Sequence, residues 1–225
     1  MNNSLFSGRV RVKICGNRSL QDVNTIVQAG VDAVGLIVGT KYFSEDEISI
    51  SKALEMADAV PPFVSTVLVT HLQTSREILS IYHKIRFSEI QLHNDIQPSE
   101  IALIRDSAPH ARIIKAVHVA DWNALDVARS YEDYSDGILL DSRTVSRIGG
   151  TGQVHDWSIS KEIVRLIRKP IILAGGLNEE NVLKAIQFVR PFGVDVNSGV
   201  DSSCGDKDEV KVRKFIHKTL EAITS

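Results

Sequence analysis

Cysteine is scarce in this sequence: of 225 residues only Cys15 and Cys204 are thiols, far apart and in no C-x-x-C spacing. That argues against a disulfide scaffold and against a zinc site of the usual sequence pattern, so each is read as a single thiol and no metal is expected. Excess charge of either sign is also missing. Lys and Arg number 26 against 28 Asp and Glu, a net charge of −2, which gives no bulk attraction to nucleic acid or to an anionic membrane. Long apolar runs are absent too. The longest, such as Ile171 to Ala174 and Val67 to Val69, fall far short of the roughly 18 residues that span a bilayer. The opening MNNSLFSGRVRVK has neither a basic leader nor an apolar core, which reads as non-secretory and predicts a cytoplasmic protein. No Pro/Ser-rich linker or low-complexity tract divides the chain. A G-x-G-x-x-G turn is lacking after the first predicted strand, where Cys15-Gly16-Asn17-Arg18-Ser19 stands instead, so a dinucleotide site on an open sheet has no support.

What the sequence does have is 43% hydrophobic residues, enough for a full core. Short β-branched runs alternate with stretches of helical apolar spacing from end to end. The runs predict strands at Val10–Ile14, Ala33–Val38, Phe63–Thr70, Ser88–His93, Arg112–Val117, Gly137–Asp141, Pro170–Ala174 and Phe192–Val196. Their starts recur about every 26 residues, the span of one strand, one helix and two short loops. Leu20, Val23, Ile26 and Val27 form one helical stripe closed by Gly30, and Ile163, Leu166 and Ile167 belong to another after Trp157. Runs such as Gly35-Leu36-Ile37-Val38 are apolar on consecutive positions, as parallel strands covered on both faces should be. Eight βα units in one chain predict a single-domain α/β (β/α)8 TIM barrel over residues 1–225, with 1–8 as a flexible N-terminal extension.

In such a barrel the chemistry sits where strands end and βα loops begin. Polar residues near those ends are Lys13, Cys15, Lys41, Gln91, His93, Lys115 and Asp141. Cys15 closes the first strand, where a thiol of lowered pKa can take a proton; a buried cysteine with no chemistry is the competing reading. Asp141 ends an apolar strand, a costly place for a carboxylate unless it is hydrogen-bonded or protonated. It serves chemistry, or caps the next loop. Lys13 is close to Cys15 in sequence but is not assigned to the same face. Three turns are suited to an anion: Gly149-Gly150-Thr151-Gly152, Gly175-Gly176 and Asn197-Ser198-Gly199-Val200. Glycine lets backbone N–H groups converge on phosphate oxygens, so Gly150, Gly152, Gly175, Gly176, Ser198 and Gly199 are read as the phosphate cradle. His93 is left out of the catalytic set as a structural strand-end histidine. Cys204 reads as incidental, and Trp122 and Trp157 as packing against the outer barrel.

These residues resemble the phosphoribosylanthranilate isomerase family along nearly the whole chain. The family's K-I-C-G is Lys13 to Gly16, its Q-L-H is Gln91 to His93, its L-L-D-S is Leu139 to Ser142, and its G-G-T-G is Gly149 to Gly152 followed by Asp156-Trp157. L-A-G-G-L-N is Leu173 to Asn178, with Asn181-Val182 behind it, and the motif G-V-D-V-S-S-G-V-E reads Gly193 to Asp201. The resemblance implies a cofactor-free Amadori rearrangement of an aminated ribose phosphate in tryptophan biosynthesis. It makes Asp141 the general acid, with a raised pKa, and Cys15 the base. Lys41 and Asp195 become substrate-binding residues. The implied partner is a small phosphosugar bound by a monomer or homodimer. Four departures stand out: Lys41 occupies the loop whose arginine holds the anthranilate carboxylate in the family, Asn197 replaces a serine, Asp201 a glutamate, and Asn94 follows His93 where glycine is common. A paralogue acting on another aminated ribose phosphate and a silent phosphosugar-binding protein are the alternatives.

Overall fold

The computed structural model describes residues 8–41, 43–85, 87–144, 147–148 and 155–222. Most of the expected N-terminal extension and the turn carrying Gly150 and Gly152 lie outside the described residues. Eight parallel strands run as β1 Arg11–Ile14, β2 Ala33–Ile37, β3 Ser65–Thr70, β4 Glu89–Leu92, β5 Arg112–Val119, β6 Gly137–Thr144, β7 Ile171–Leu173 and β8 Gly193–Val196. Each pairs with its neighbours in sequence order, and β8 returns to β1, which closes the barrel. At that seam Lys13 lies opposite Asp195.

Eight helices follow the strands: α1 Leu20–Gln28, α2 Ile50–Asp58, α3 Ser75–Ile85, α4 Pro98–Ser107, α5 Asn123–Tyr131, α6 Trp157–Leu166, α7 Val182–Val189 and α8 Glu209–Glu221. Their starts are fixed locally. Ser19 and Asp22 form a reciprocal capping box on α1, and Ser49, Asp156 and Asp208 cap α2, α6 and α8 through their side-chain oxygens. No helix among the described residues is long and apolar enough to cross a membrane.

Two apolar regions result from the period of two along each strand. Outward residues such as Ile14, Leu36, Leu68, Ile90, Ile113, Leu140 and Val194 pack with the helices into the main core. Inside, two small clusters form among the described residues, Cys15 with Ile37, Val67 and Val69, and Ile114 with Ala116, Leu139 and Ala174. Polar side chains fill much of the remainder. At the end where strands begin, the short side chains of Ala33 and Ser65 and the bare Gly193 help leave a cavity of about 430 Å³ also lined by Phe63 and Glu89. It lies at the opposite end of the barrel from Cys15 and Asp141.

Several predicted boundaries are corrected. Phe63 is not in β3: it follows Pro61 and Pro62, has φ of 73° and is fully exposed, so the strand starts at Ser65. β5 runs on to Val119, and β6 continues past Asp141 to pair antiparallel with Arg147–Ile148. Trp122 is 56% exposed and does not pack as expected, whereas Trp157 is packed against the core.

Candidate active site

Cys15 sits just past β1, its backbone N–H donating to Val196 at the end of β8. Its thiol is buried on the inner face. Gly35 on β2 makes the room: a Cβ there would lie 2.9 Å from the Cys15 sulfur and 3.1 Å from Lys13 Cε. That shared neighbour shows Lys13 and Cys15 on one face. The expectation is corrected by the pleat itself, since residues two apart always share a face. Lys13 Nζ donates to Asp195 Oδ2 at 2.7 Å, both side chains almost fully buried. Burial pushes the Cys15 thiol up to about 11, and Asp195 adds to this; Lys13 and Lys207 pull it down without cancelling the rise. The thiol is therefore protonated at rest.

Asp141, at the mouth end of β6, is met by a histidine that sequence reasoning set aside. His93 Nε2 stands 3.2 Å from Asp141 Oδ2, and His93 Nδ1 stands 3.0 Å from Gln91 Nε2. With the amide nitrogen as donor, Nδ1 is the acceptor and Nε2 carries the proton toward the carboxylate. The rings of His71 and His118 flank His93 at 5.4 and 5.3 Å between centroids. Burial raises the Asp141 pKa, but the hydrogen bond from His93, the positive charge of His93 and His118 when protonated, and the Ser142 N–H outweigh it and hold the carboxyl below its ordinary range. The raised value expected from the apolar strand end is thus corrected. The apolar neighbours Leu139 and Leu140 were legible, but the imidazoles come from other strands.

Asp195, read as substrate-binding, spends one oxygen on Lys13; its Oδ1 is buried with no partner among the described residues. Burial raises its pKa, and Lys13 opposes this. Lys115 is not at the mouth. It lies mid-strand on the outer face of β5, its ammonium 4.8 Å above the Tyr131 ring and bonded to the Ala116 carbonyl. Burial lowers it to about 8.

The late turns come together. Gly175 and Gly176 both have positive φ, and a Cβ on Gly175 would fall 2.4 Å from the Ser142 nitrogen. Ser198 to Val200 form one 3-10 turn after β8, where a Cβ on Gly199 would fall 1.9 Å from the Leu177 carbonyl oxygen. These glycines are needed first for loop-to-loop contact. Substituting Gly199 disturbs the fold as well as any anion site, contrary to a purely binding role.

Asn197, one of the departures, ties three loops. Its Nδ2 donates to Asp46 at 2.8 Å, its Oδ1 accepts from Lys207 Nζ at 2.9 Å, and it leaves no room for a side chain on Gly16. Lys207 also pairs with Asp201 at 2.6 Å. Asp46 belongs to the β2–α2 loop that carries Lys41, where Glu47 caps the backbone of Gly39 and Thr40. Lys41 itself is exposed on this anchored loop. Cys204 is exposed and outside the site.

The mouth thus combines a thiol, a carboxylate and glycine turns at adjoining strand ends, and relatives share the whole frame. Residues 12–218 match the family N-(5'phosphoribosyl)anthranilate (PRA) isomerase. The N-(5'-phosphoribosyl)anthranilate isomerase 2 of Methanosarcina mazei is 40% identical over 211 residues, 93% of each chain. Among solved structures, the phosphoribosyl anthranilate isomerase of Thermotoga maritima aligns with a TM-score of 0.81 and 36% identity, over 93% of this chain and 98% of that one. A phosphoribosyl anthranilate isomerase in complex with reduced 1-(o-carboxyphenylamino)-1-deoxyribulose 5-phosphate aligns at 0.79 and 34%, with the same coverage. With the ordered motifs carried on a closed eight-stranded barrel, these similarities mean that the chain belongs to the N-(5'-phosphoribosyl)anthranilate isomerase family.

Proposed function

We infer that this enzyme converts N-(5'-phosphoribosyl)anthranilate to 1-(2-carboxyphenylamino)-1-deoxyribulose 5-phosphate, a step of tryptophan biosynthesis, by acid-base catalysis. The observation that carries this reading is the pairing of Cys15 and Asp141 on the mouth-facing ends of β1 and β6 in a barrel of this family. Asp141 gives a proton to the ring oxygen; the C1–O bond breaks as the nitrogen lone pair forms an iminium. Cys15 takes the C2 proton, and those electrons neutralise the iminium as an enolamine, which ketonises. No electron leaves the substrate, so no redox cofactor is needed.

At rest the thiol holds the proton and the carboxylate lacks one, the reverse of the working state. One proton has to change sites when substrate binds. Water exclusion by the substrate favours the protonated carboxyl of Asp141, and the positive charge on the iminium, once formed, favours the thiolate. Asp195 Oδ1 offers a buried acceptor to a substrate hydroxyl, and Gly175, Gly176, Ser198 and Gly199 line the phosphate end. Gly150 and Gly152 are assigned to that end by motif. Lys41 meets the anthranilate carboxylate as a single ammonium donor. The enzyme works in the cytoplasm, as a monomer or homodimer.

The test is loss of the substrate's fluorescence in a turnover assay. Cys15→Ala and Asp141→Asn should each lower kcat about 10² to 10⁴-fold while binding of a reduced product analogue persists. Lys41→Met should raise KM with little change in kcat, by a few kcal/mol at most. Normal turnover in Cys15→Ala removes the thiol from the reaction. Phosphosugar binding without turnover of the anthranilate adduct in the wild type points instead to a different amine.

A further inference from the structure

Two imidazoles and a carboxylate converge at the mouth from three consecutive strands. His93 follows β4, His118 lies in β5 and Asp141 in β6, and one ligand atom from each lies within 4.8 Å of the others. His93 Nε2 and Asp141 Oδ2 are 3.2 Å apart, about the edge of a tetrahedron whose ligands stand roughly 2.0–2.1 Å from a zinc ion. Three protein ligands with a position open to solvent is the pattern of an exchangeable zinc site. His93 and His118 are partly exposed, which gives an ion a way in.

A second observation comes from behind His93. Gln91 is 1% exposed and its Oε1 has no partner among the described residues, while its Nε2 faces His93 Nδ1. A half-turn of the amide brings Oε1 to Nδ1 and moves the imidazole proton there, which frees the Nε2 lone pair toward Asp141. That is the outer support of a metal-ligating histidine: the far ring nitrogen donates to an oxygen and fixes the tautomer. The amide keeps one hydrogen bond to His93 in either orientation, so the flip costs none.

We propose that the mouth binds one divalent transition-metal ion of the zinc class between His93, His118 and Asp141, and that the bound ion blocks isomerisation. The block rests on the function proposed above, because the ion occupies the carboxylate that must deliver a proton. Ion binding itself does not.

The full chain, stripped with EDTA and titrated with ZnCl₂ at neutral pH by calorimetry, should show one site of micromolar or tighter Kd. Added Co²⁺ should give the visible absorption of a low-coordinate site. Asp141→Asn and His118→Phe, each with a native circular-dichroism spectrum, should weaken binding at least tenfold. Two surface groups also carry zinc-ligating atoms: the exposed His217–Glu221 pair, 3.0 Å apart, and Cys204. His217→Ala and Cys204→Ser should leave the titration unchanged. Absence of a one-to-one site, or its loss in either surface variant, overturns the proposal. In the turnover assay, Zn²⁺ should inhibit the wild type and EDTA should restore it. Zinc bound with no turnover to inhibit would count against the isomerase reading alone. Turnover indifferent to saturating zinc would count against the metal site alone.

Discussion

Between them, Cys15 and Asp141 hold one proton, and its resting place sets the pH behaviour. The thiol titrates at about 11 and the carboxyl below its ordinary range. In the proposed mechanism substrate binding relocates that proton without taking up or releasing one. The logarithm of kcat/KM should be flat from the phosphate's own ionisation near 6 up to about 10 and fall above, as the thiol ionises in the free enzyme. Initial rates across that range decide it; a limb between 7 and 9 would hand the acid or base role to an imidazole. Lys115 carries a different linkage. Its folded pKa of about 8 lies below the ordinary 10.5, so between those values the unfolded chain holds a proton that the folded one releases. Stability contributed by this group rises with pH across that window, and below 8 the buried charge costs about 3 kcal/mol. Lys115→Met loses the contact with Tyr131 but should still gain about 1–2 kcal/mol at pH 7. Urea unfolding checks it, and an advantage that persists above pH 10.5 would exclude the charge as its cause.

Among the loops, the β8–α8 connection fastens its neighbours. Asn197 bonds the loop of Lys41 through Asp46 and is held by Lys207, which is itself paired with Asp201. Asn197→Ser, the residue usual in the family, cannot span both partners. It should raise KM several-fold by loosening the Lys41 loop and lower kcat less; steady-state kinetics with unchanged thermal unfolding separates this from misfolding. None of this network was legible, because Asn197 and Asp46 are 151 positions apart. Cys15 and Asp141 were legible because each is a polar residue closing an apolar strand. Lys13 stands two residues before Cys15, a spacing that puts both on one face of the strand. His93 did leave a signal: Gln91 and His93 are polar at a spacing of two, on the inner face of an otherwise apolar strand. His71, His118 and Lys207 left none, since their roles exist only where separate strands converge.

At the scale of the molecule, eight staves were readable because strands covered on both faces are apolar at consecutive positions, and helices between them are not. Ends were less so. Pro61 and Pro62 delay β3, and β5 and β6 run on because neighbouring strands, not their own composition, continue the ladder. Closure itself rests on β8 reaching β1, and its buried ion pair joins residues 182 apart. A ribosome releases β1 first. At roughly 5–20 residues per second, on the order of 10–35 s pass before Asp195 emerges, and through that interval the first strand has an open edge. Lys13 cannot be buried without its counterion, since an unpaired interior charge is strongly destabilising. An unpaired ammonium on that edge would keep the nascent strand wet and repel a second copy, so Lys13 would also guard newly made chains against sticking to one another.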